Sequence, residues 1–426
     1  MRIIADAMGG DNAPLEIVKG VLGAASKTDH RYILVGRKSE ILRCIGNSAE
    51  LSGHIEVIDH QSEIVNDPSD PVKGQISAGR KQFDPAKGQI SAGRKQSNPV
   101  NDQISAGRKQ SDPVKGQISA GRKQIDPVKS QIETVTDKPG KIRNRSDIVR
   151  NQIEIVNAEQ VITMEDDPLT AIQKKKDSSM VVALKLLAAG YGDALVSAAN
   201  TGALFAGATL IVKRKPGIRR AAIGTLLPSS RPCLLLDAGA NVSVTEEYLE
   251  QFALIGSDYM RTVCGIRNPE VGLLNNGTEE CKGTALQIEA GKRLRANKSI
   301  NFIGNVEASS VMAGVCDVVV CDGFTGNVFL KATEGMGRAI LSSLKDLFSE
   351  NPETKLSYLP VQKKIQEIKK RFDPSEHGGS PFLGISRPVI KAHGSSNADA
   401  FENAIFQAIK YAESRKCYYN GETELS

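Results

Sequence analysis

Two periodicities alternate along this chain. Short apolar runs that read as strands are Arg2–Asp6, Tyr32–Val35, Ile55–Ile58, Ala194–Ser197, Cys233–Asp237, Val271–Leu274, Ile300–Ile303 and Asp317–Cys321. Between them lie stretches whose apolar residues recur every three or four positions, as on one face of a helix: Pro14–Ala25, Ser179–Ala189, Glu246–Thr262 and Lys282–Arg295. Strands alternating with helices predict an α/β fold with a mostly parallel sheet. Further on, Ile340, Leu341, Leu344, Leu347 and Phe348 mark one helical face and Ile365, Ile368 and Phe372 another, which together predict a helical hairpin.

The pattern breaks between residues 61 and 151. Gln-Ile-Ser-Ala-Gly-Arg-Lys-Gln begins at Gln75, Gln89, Gln103 and Gln117, a period of 14, and each copy is followed by Asp-Pro or Asn-Pro. Each unit offers about one Ile, one Ala and at most one Val, too little apolar surface to offset the ordering entropy of its backbone. The segment therefore reads as a low-order surface insertion. Ile55-Glu56-Val57-Ile58-Asp59 before it resembles Ile153-Glu154-Ile155-Val156-Asn157 after it, so the array looks spliced in beside a strand. The expected organisation is one discontinuous domain, 1–60 and 152–426, interrupted by a basic tandem-repeat insertion at 61–151.

Composition narrows the reading. The net charge of +6 sits in the insertion, which holds 17 Lys/Arg against 10 Asp/Glu and leaves the rest nearly neutral, so nucleic acid is not expected as a partner. Seven cysteines form no Cys-x-x-Cys pair and no zinc-like spacing with histidine, and read as free thiols in a reducing compartment. Cys281 reads as a buried, inert one. No apolar run is long enough to span a bilayer and the N-terminus lacks a signal peptide's apolar region, so a cytoplasmic location is expected.

The chemistry collects after the strands. Asp6-Ala7-Met8-Gly9-Gly10-Asp11, Asn200-Thr201-Gly202, Asp237-Ala238-Gly239-Ala240-Asn241, Asn275-Asn276-Gly277-Thr278-Glu279, Gly304-Asn305-Val306-Glu307 and Asp322-Gly323-Phe324-Thr325-Gly326-Asn327 each follow an apolar run, and Lys391-Ala392-His393-Gly394-Ser395-Ser396 precedes another helix. In open α/β sheets ligands bind beyond the carboxyl ends of strands, and glycine there lets backbone N–H groups approach an anion. We expect these motifs to converge on one sheet edge. No Walker A loop, Gly-x-Ser-x-Gly elbow or Gly-x-Gly-x-x-Gly fingerprint is present, and the five histidines offer little for a nucleophile system. Direct transfer between two bound substrates is favoured.

Taken together, these motifs and Lys174-Lys175-Lys176-Asp177-Ser178-Ser179-Met180 resemble the PlsX family of phosphate acyltransferases, over 1–60 and about 152–415. The resemblance implies a three-layer α/β/α fold related to isopropylmalate dehydrogenases and a homodimer. It implies reversible transfer of a long-chain acyl group from acyl carrier protein to inorganic phosphate, giving acyl phosphate for phospholipid synthesis, with no cofactor and no metal. It implies peripheral membrane contact, for which Leu356, Tyr358 and Leu359 at the hairpin tip are the candidates, and a possible membrane-bound glycerol-3-phosphate acyltransferase as neighbour. The resemblance also places a catalytic lysine at Lys282, with Asn200 and His393 in support. Substrate binding falls to Asp6, Gly9, Gly10, Thr201, Gly202, Asp237, Asn241, Asn305, Glu307, Asp322, Thr325, Gly326 and Asn327. The carrier protein is acidic, so the basic cluster containing Arg214 and Arg219 is the expected docking face. Two other readings stay open: an NAD-dependent decarboxylating dehydrogenase, and a nucleic-acid-binding or scaffold protein acting through the basic repeats.

Overall fold

The computed structural model describes residues 1–46 and 152–420 with short breaks at 351–353, 355–356, 359, 374–375 and 377; between 47 and 151 it describes only strand segments at 56–58, 81–84, 89–90, 135–136 and 142–143. The expectation for the repeats otherwise lies outside the described residues, as do Leu356 and Leu359.

Strand β1 (Arg2–Asp6), helix α1 (Leu15–Lys27), β2 (Arg31–Gly36), α2 (Lys38–Gly46) and β3 (Glu56–Ile58) open the fold. After the repeats come β4 (Ile153–Asn157), α3 (Pro168–Lys174), α4 (Ser179–Ala188), β5 (Ala194–Ser197) and α5 (Thr201–Gly207), which runs into a π-helical turn at Ala208–Val212. The chain continues through β6 (Ala222–Leu227), β7 (Cys233–Leu236), α6 (Glu246–Thr262), β8 (Glu270–Leu274), α7 (Ala285–Ala296), β9 (Asn301–Val306), α8 (Ala308–Met312) and β10 (Val318–Val320). It closes with the expected hairpin, α9 (Gly323–Ser349) and α10 (Gln362–Phe372), then β11 (Ser380–Leu383), β12 (Val389–Lys391) and α11 (Ala398–Asn420).

All the labelled strands join one sheet, in the order β9-β8-β10-β7-β6-β11-β12-β5-β1-β2-β4-β3, and it extends past β3 through Lys81–Asp84 and Gln89–Ile90. Alternation along each strand sends side chains to opposite faces. Ile3, Leu34, Leu234 and Val318 pack against α1, α6 and α11, whereas Ile4, Ile33, Leu235 and Val319 pack against α3, α4 and α5. Helices therefore cover both faces, and the architecture is the three-layer α/β/α expected. The two similar sequences flanking the repeats are both strands and lie side by side: β3 pairs in parallel with β4, Val57 opposite Ile155.

One expectation fails. The sheet consists of two parallel blocks, β9-β8-β10-β7 and β12-β5-β1-β2-β4-β3. Between them, β7/β6, β6/β11 and β11/β12 are all antiparallel. Three reversals in succession make the blocks run oppositely, so their carboxyl ends lie on opposite edges rather than on one. They approach each other only over the short central strands β6 and β11.

Candidate functional site

That central approach holds a cavity of about 570 Å³. Asp11, Thr201, Lys391, His393 and Gly394 line it from the ends of β1, β5 and β12, and Ala238, Gly239 and Asn327 from the ends of β7 and β10. Ile223, Leu226 and Pro228 from β6 and its exit, with Leu330 and Phe372 from the hairpin, make an apolar wall. The hairpin closes on the cavity because Gly337 of α9 leaves room for Phe372 of α10; a Cβ there would lie 2.6 Å from the Phe372 ring.

The loops that shape the two ends are held by their own polar residues. At the β1 end, Asp11 N–H donates to the Gly394 carbonyl at 2.8 Å, and the Asn12 amide donates to the carbonyls of Ser395 and Ser396. Gly10 sits at φ 108°, a conformation that favours glycine, and a Cβ there would lie 2.9 Å from the same Gly394 carbonyl oxygen. Asp6 is fully buried; Ser197 Oγ donates to its Oδ2 at 2.8 Å, and its Oδ1 has no hydrogen-bond partner. Burial pushes its pKa up.

At the β7 end, Asp237 is also fully buried, but its carboxylate is saturated. It accepts from the backbone N–H groups of Ile223, Gly239, Ala240 and Asn241 and from the Asn241 amide. Burial raises this pKa too, against the pull of those donors. Asp322 caps α9, accepting from Thr325 N–H and Thr325 Oγ1. Gly326 brings the first turn of α9 onto the β7 loop so closely that a Cβ would meet the Asp237 carbonyl oxygen at 1.9 Å. Its own N–H is spent on the Asp322 carbonyl.

Several residues expected to touch substrate thus hold backbone instead. Asn200 caps α5 through Ala203 N–H, and its amide donates to the carbonyls of Thr163, Met164 and Asp166. The Asn241 amide is shared between the Ala221 carbonyl and Asp237. Gly9 and Gly202 are places where a Cβ would strike Ala199 and Pro168. Thr201, Asn327 and His393 do line the cavity. The His393 Nδ1 lies 2.9 Å from Ser395 Oγ and receives Ser395 N–H, while burial holds its pKa down. The neutral ring then carries its proton on Nε2.

Lys282, Asn305 and Glu307 form a third group outside the cavity lining, at the ends of β8 and β9. Asn305 ties the lysine loop down by donating to the Glu279 carbonyl at 2.7 Å, and Glu307 precedes α8. Helix α7 starts later than the periodicity predicts, because Thr284 and Gln287 form a capping box. Lys282 therefore sits on the exposed loop before the helix, two strands from β7, or roughly 10 Å at the usual strand spacing. Cys281 beside it is exposed, not buried as expected: the loop turns outward ahead of the cap.

The predicted surface features fare unevenly. Arg219 is ion-paired with Glu247 at 2.9 Å and Arg214 bridges to Ile385 through its backbone. In the hairpin Leu341, Leu344, Phe348, Tyr358 and Ile365 line a groove between the helices, with Phe348 and Tyr358 ring centroids 5.3 Å apart. Ile340 and Leu347 face away and are exposed. Among the described residues no helix is long and apolar enough to cross a membrane.

Sequence reasoning passed over Lys391, although its motif was noted. This lysine at the end of β12 is 8% exposed, lines the cavity and donates to the carbonyls of Ala198, at 3.1 Å, and Ala392. Burial holds its pKa down at about 8, against the raising effect of Asp11 and Asp6. The available signal was a lysine inside a strand run, where a charge is costly unless used.

The family model for the fatty acid synthesis protein, FA_synthesis, matches residues 1–84 and 114–418, breaking only inside the tandem repeats. A curated phosphate acyltransferase of Clostridium botulinum is 46% identical over 278 residues, 64% of this chain and 83% of its own length. Another, from Caldanaerobacter subterraneus, is 48% identical over 258 residues, 60% of this chain and 77% of that one. Among solved structures, a phosphotransacetylase from Streptococcus pyogenes aligns over 98% of this chain and 94% of its own, with TM-score 0.47 and 13% identity. The chain belongs to the fatty acid synthesis protein family, the PlsX-type phosphate acyltransferases that its strand-end motifs resemble.

Proposed function

We propose that this acyltransferase moves a long-chain acyl group from an acyl carrier protein thioester to inorganic phosphate, reversibly, to give acyl phosphate for phospholipid synthesis. The observation that carries the reading is the two-sided cavity: an apolar wall suited to an acyl chain faces polar groups suited to an anion, in a chain whose relatives bear the phosphate acyltransferase name. A phosphate oxygen attacks the thioester carbonyl carbon, a tetrahedral oxyanion forms, and the C–S bond then breaks. The sulfur leaves with the electron pair and takes up a proton. No covalent enzyme intermediate is required, so the protein's work is to position the reactants and stabilise the developing negative charge.

Lys282 meets that negative charge in this reading, as a mobile ammonium on the loop beside the Gly239–Asn327 end of the cavity. Asn327 and Thr325 belong to the same end and Thr201, His393, Gly9 and Gly10 to the other. Asn200, Asn241, Asp237 and Gly326 serve by fixing the loops, and Asn305 by tethering the lysine loop. The basic surface with Arg214 and Arg219 receives the acidic carrier. The active form is a homodimer, and the hairpin tip rests on lipid near a membrane-bound acyltransferase that uses the product. The repeats at 61–151 are an insertion the reaction does not need.

The test is to incubate the protein with long-chain acyl carrier protein and phosphate and trap acyl phosphate with hydroxylamine. Phosphate-dependent acyl hydroxamate is expected. Its absence, with thioester intact, overturns the reading. Nicotinamide reduction with a hydroxy acid would move the assignment to the dehydrogenase alternative.

A further inference from the structure

The proposed reaction uses Lys282 from the loop outside the cavity lining, and leaves Lys391, which lines the cavity, unexplained. Lys391 stands five strands from β8, on the order of 20 Å across the sheet at ordinary strand spacing, and on the other parallel block.

Burying an ammonium costs several kcal/mol unless its donors and its charge are both answered. An ammonium has three N–H donors. Two of those on Lys391 have acceptors, the carbonyls of Ala198 and Ala392, while the carboxylates of Asp11 and Asp6 act on its charge through space. Asp6 lies near enough to influence it, yet its own free oxygen is orphaned, and burial drives that carboxyl toward the neutral form. The other charged groups around the cavity are Asp11 from the β1 loop, Lys331 and Glu334 from α9, and Arg371 from α10. Lys331 and Glu334 pair with each other at 2.9 Å. What remains around Lys391 is therefore an ammonium with one N–H lacking an acceptor and its charge answered only through space, chiefly by Asp11, beside the neutral His393 imidazole and the Thr201 hydroxyl, at the wall of an accessible cavity.

We propose that the Lys391 end of the cavity is a phosphate-group subsite, with Lys391 as its direct ligand. This rests on the acyl-transfer reading for its two possible occupants: inorganic phosphate itself, or the phosphodiester that tethers the carrier protein's thiol arm. Both present the same anion to the same ammonium. An anion there supplies the third acceptor and a countercharge in direct contact. A lysine that merely ties β12 to the end of β5 through the Ala198 carbonyl would need neither.

The experiment compares the native protein with Lys391→Met and Lys391→Arg. Michaelis constants are measured for phosphate, for acyl carrier protein, and for an acyl thioester of N-acetylcysteamine, which has no phosphodiester. If inorganic phosphate is the occupant, Lys391→Met raises its KM by roughly 10-fold or more, with the donors' constants little changed and partial rescue by arginine. If the phosphodiester is the occupant, KM for the acyl carrier protein rises instead and that for the N-acetylcysteamine thioester does not. A folded Lys391→Met protein with every constant within two-fold of native, or with only kcat reduced, overturns the subsite. Should methionine prevent folding, sulfate binding to the native protein is measured by calorimetry at about pH 7 and about pH 10. Affinity should fall roughly 10-fold or more as Lys391 loses its proton, and constant affinity overturns the proposal. Sulfate binding needs no turnover, so failure of the transfer reaction and failure of the subsite give different results.

Discussion

Two lysines, one on the exposed loop beside the cavity and one in its wall, carry the same charge in contrasting settings. Lys282 is exposed, on a loop that Asn305, through the Glu279 carbonyl, and Asn275, through the Lys282 carbonyl, hold to the sheet edge. Lys391 is enclosed by two carbonyls at the end of a strand, in a cavity wall. An exposed ammonium keeps its hydration and is free to follow a charge as it develops. A buried one has surrendered hydration beforehand and is held for an anion of defined position. The difference teaches that one site divides two tasks, meeting a charge that appears only during reaction and gripping a charge that arrives with the substrate.

The largest effect expected from breaking this division is at the exposed end. Lys282→Ala should lose roughly 100-fold or more in turnover at saturating phosphate, with folding unchanged. Near-native turnover by the hydroxylamine assay would remove the lysine from the reaction.

Next comes the floor between the ends. Gly326→Ala places a methyl group where the Asp237 carbonyl already lies, at 1.9 Å, and backbone must move to admit it. Overpacking of this kind costs about 1–3 kcal/mol. A lowered thermal midpoint with turnover falling in step is expected; an unchanged midpoint would show that α9 is not pinned there.

The buried end has a pH signature of comparable size. The folded pKa of Lys391, about 8, lies below the ordinary 10.5. Between these values the unfolded chain holds a proton that the native protein has released, so raising the pH stabilises the native state. Below about pH 8 both states are protonated and the full cost of burial is felt. Native unfolding free energy should rise between about pH 8 and 10.5 relative to that of Lys391→Met, by up to about 3 kcal/mol. Parallel curves in denaturant titrations would place the ammonium in contact with water.

The smallest expected effect is at the repeats. Excising 61–151 should leave folding and acyl transfer within about two-fold of native, because joining the ends of a shorter loop changes closure entropy little. An insoluble or inactive product would mean that the repeats contribute to the core.

Much of the scaffold was legible in the sequence. The buried parallel strands announce themselves as Ile-Ile-Ala, Leu-Leu-Leu and Val-Val-Val runs, and α6 by its three-to-four spacing, because both faces of a covered sheet must be apolar. The strands that reverse the sheet were not legible. Ser380–Leu383 contains Pro381, Val389–Lys391 is three residues long and ends in a charge, and Ala222–Leu227 carries Gly224 and Thr225. Short strands interrupted by proline, glycine or lysine give no clear period of two.

By itself, then, the sequence determined the α/β class, the family, and the residue types at the strand ends, since these follow from local periodicity and from motifs that chemistry confines to few choices. Only the tertiary structure decided which motifs meet. The direction of each strand depends on pairing with partners far away in the chain, 161 positions in the case of Ala222 and Leu383. Whether Asn200 or Asp237 faces a substrate or a backbone amide depends on loops that arrive from elsewhere in the chain. Lys391 owes its importance to the same cause: a lysine becomes a poised charge only when folding removes its water and leaves it short of a partner.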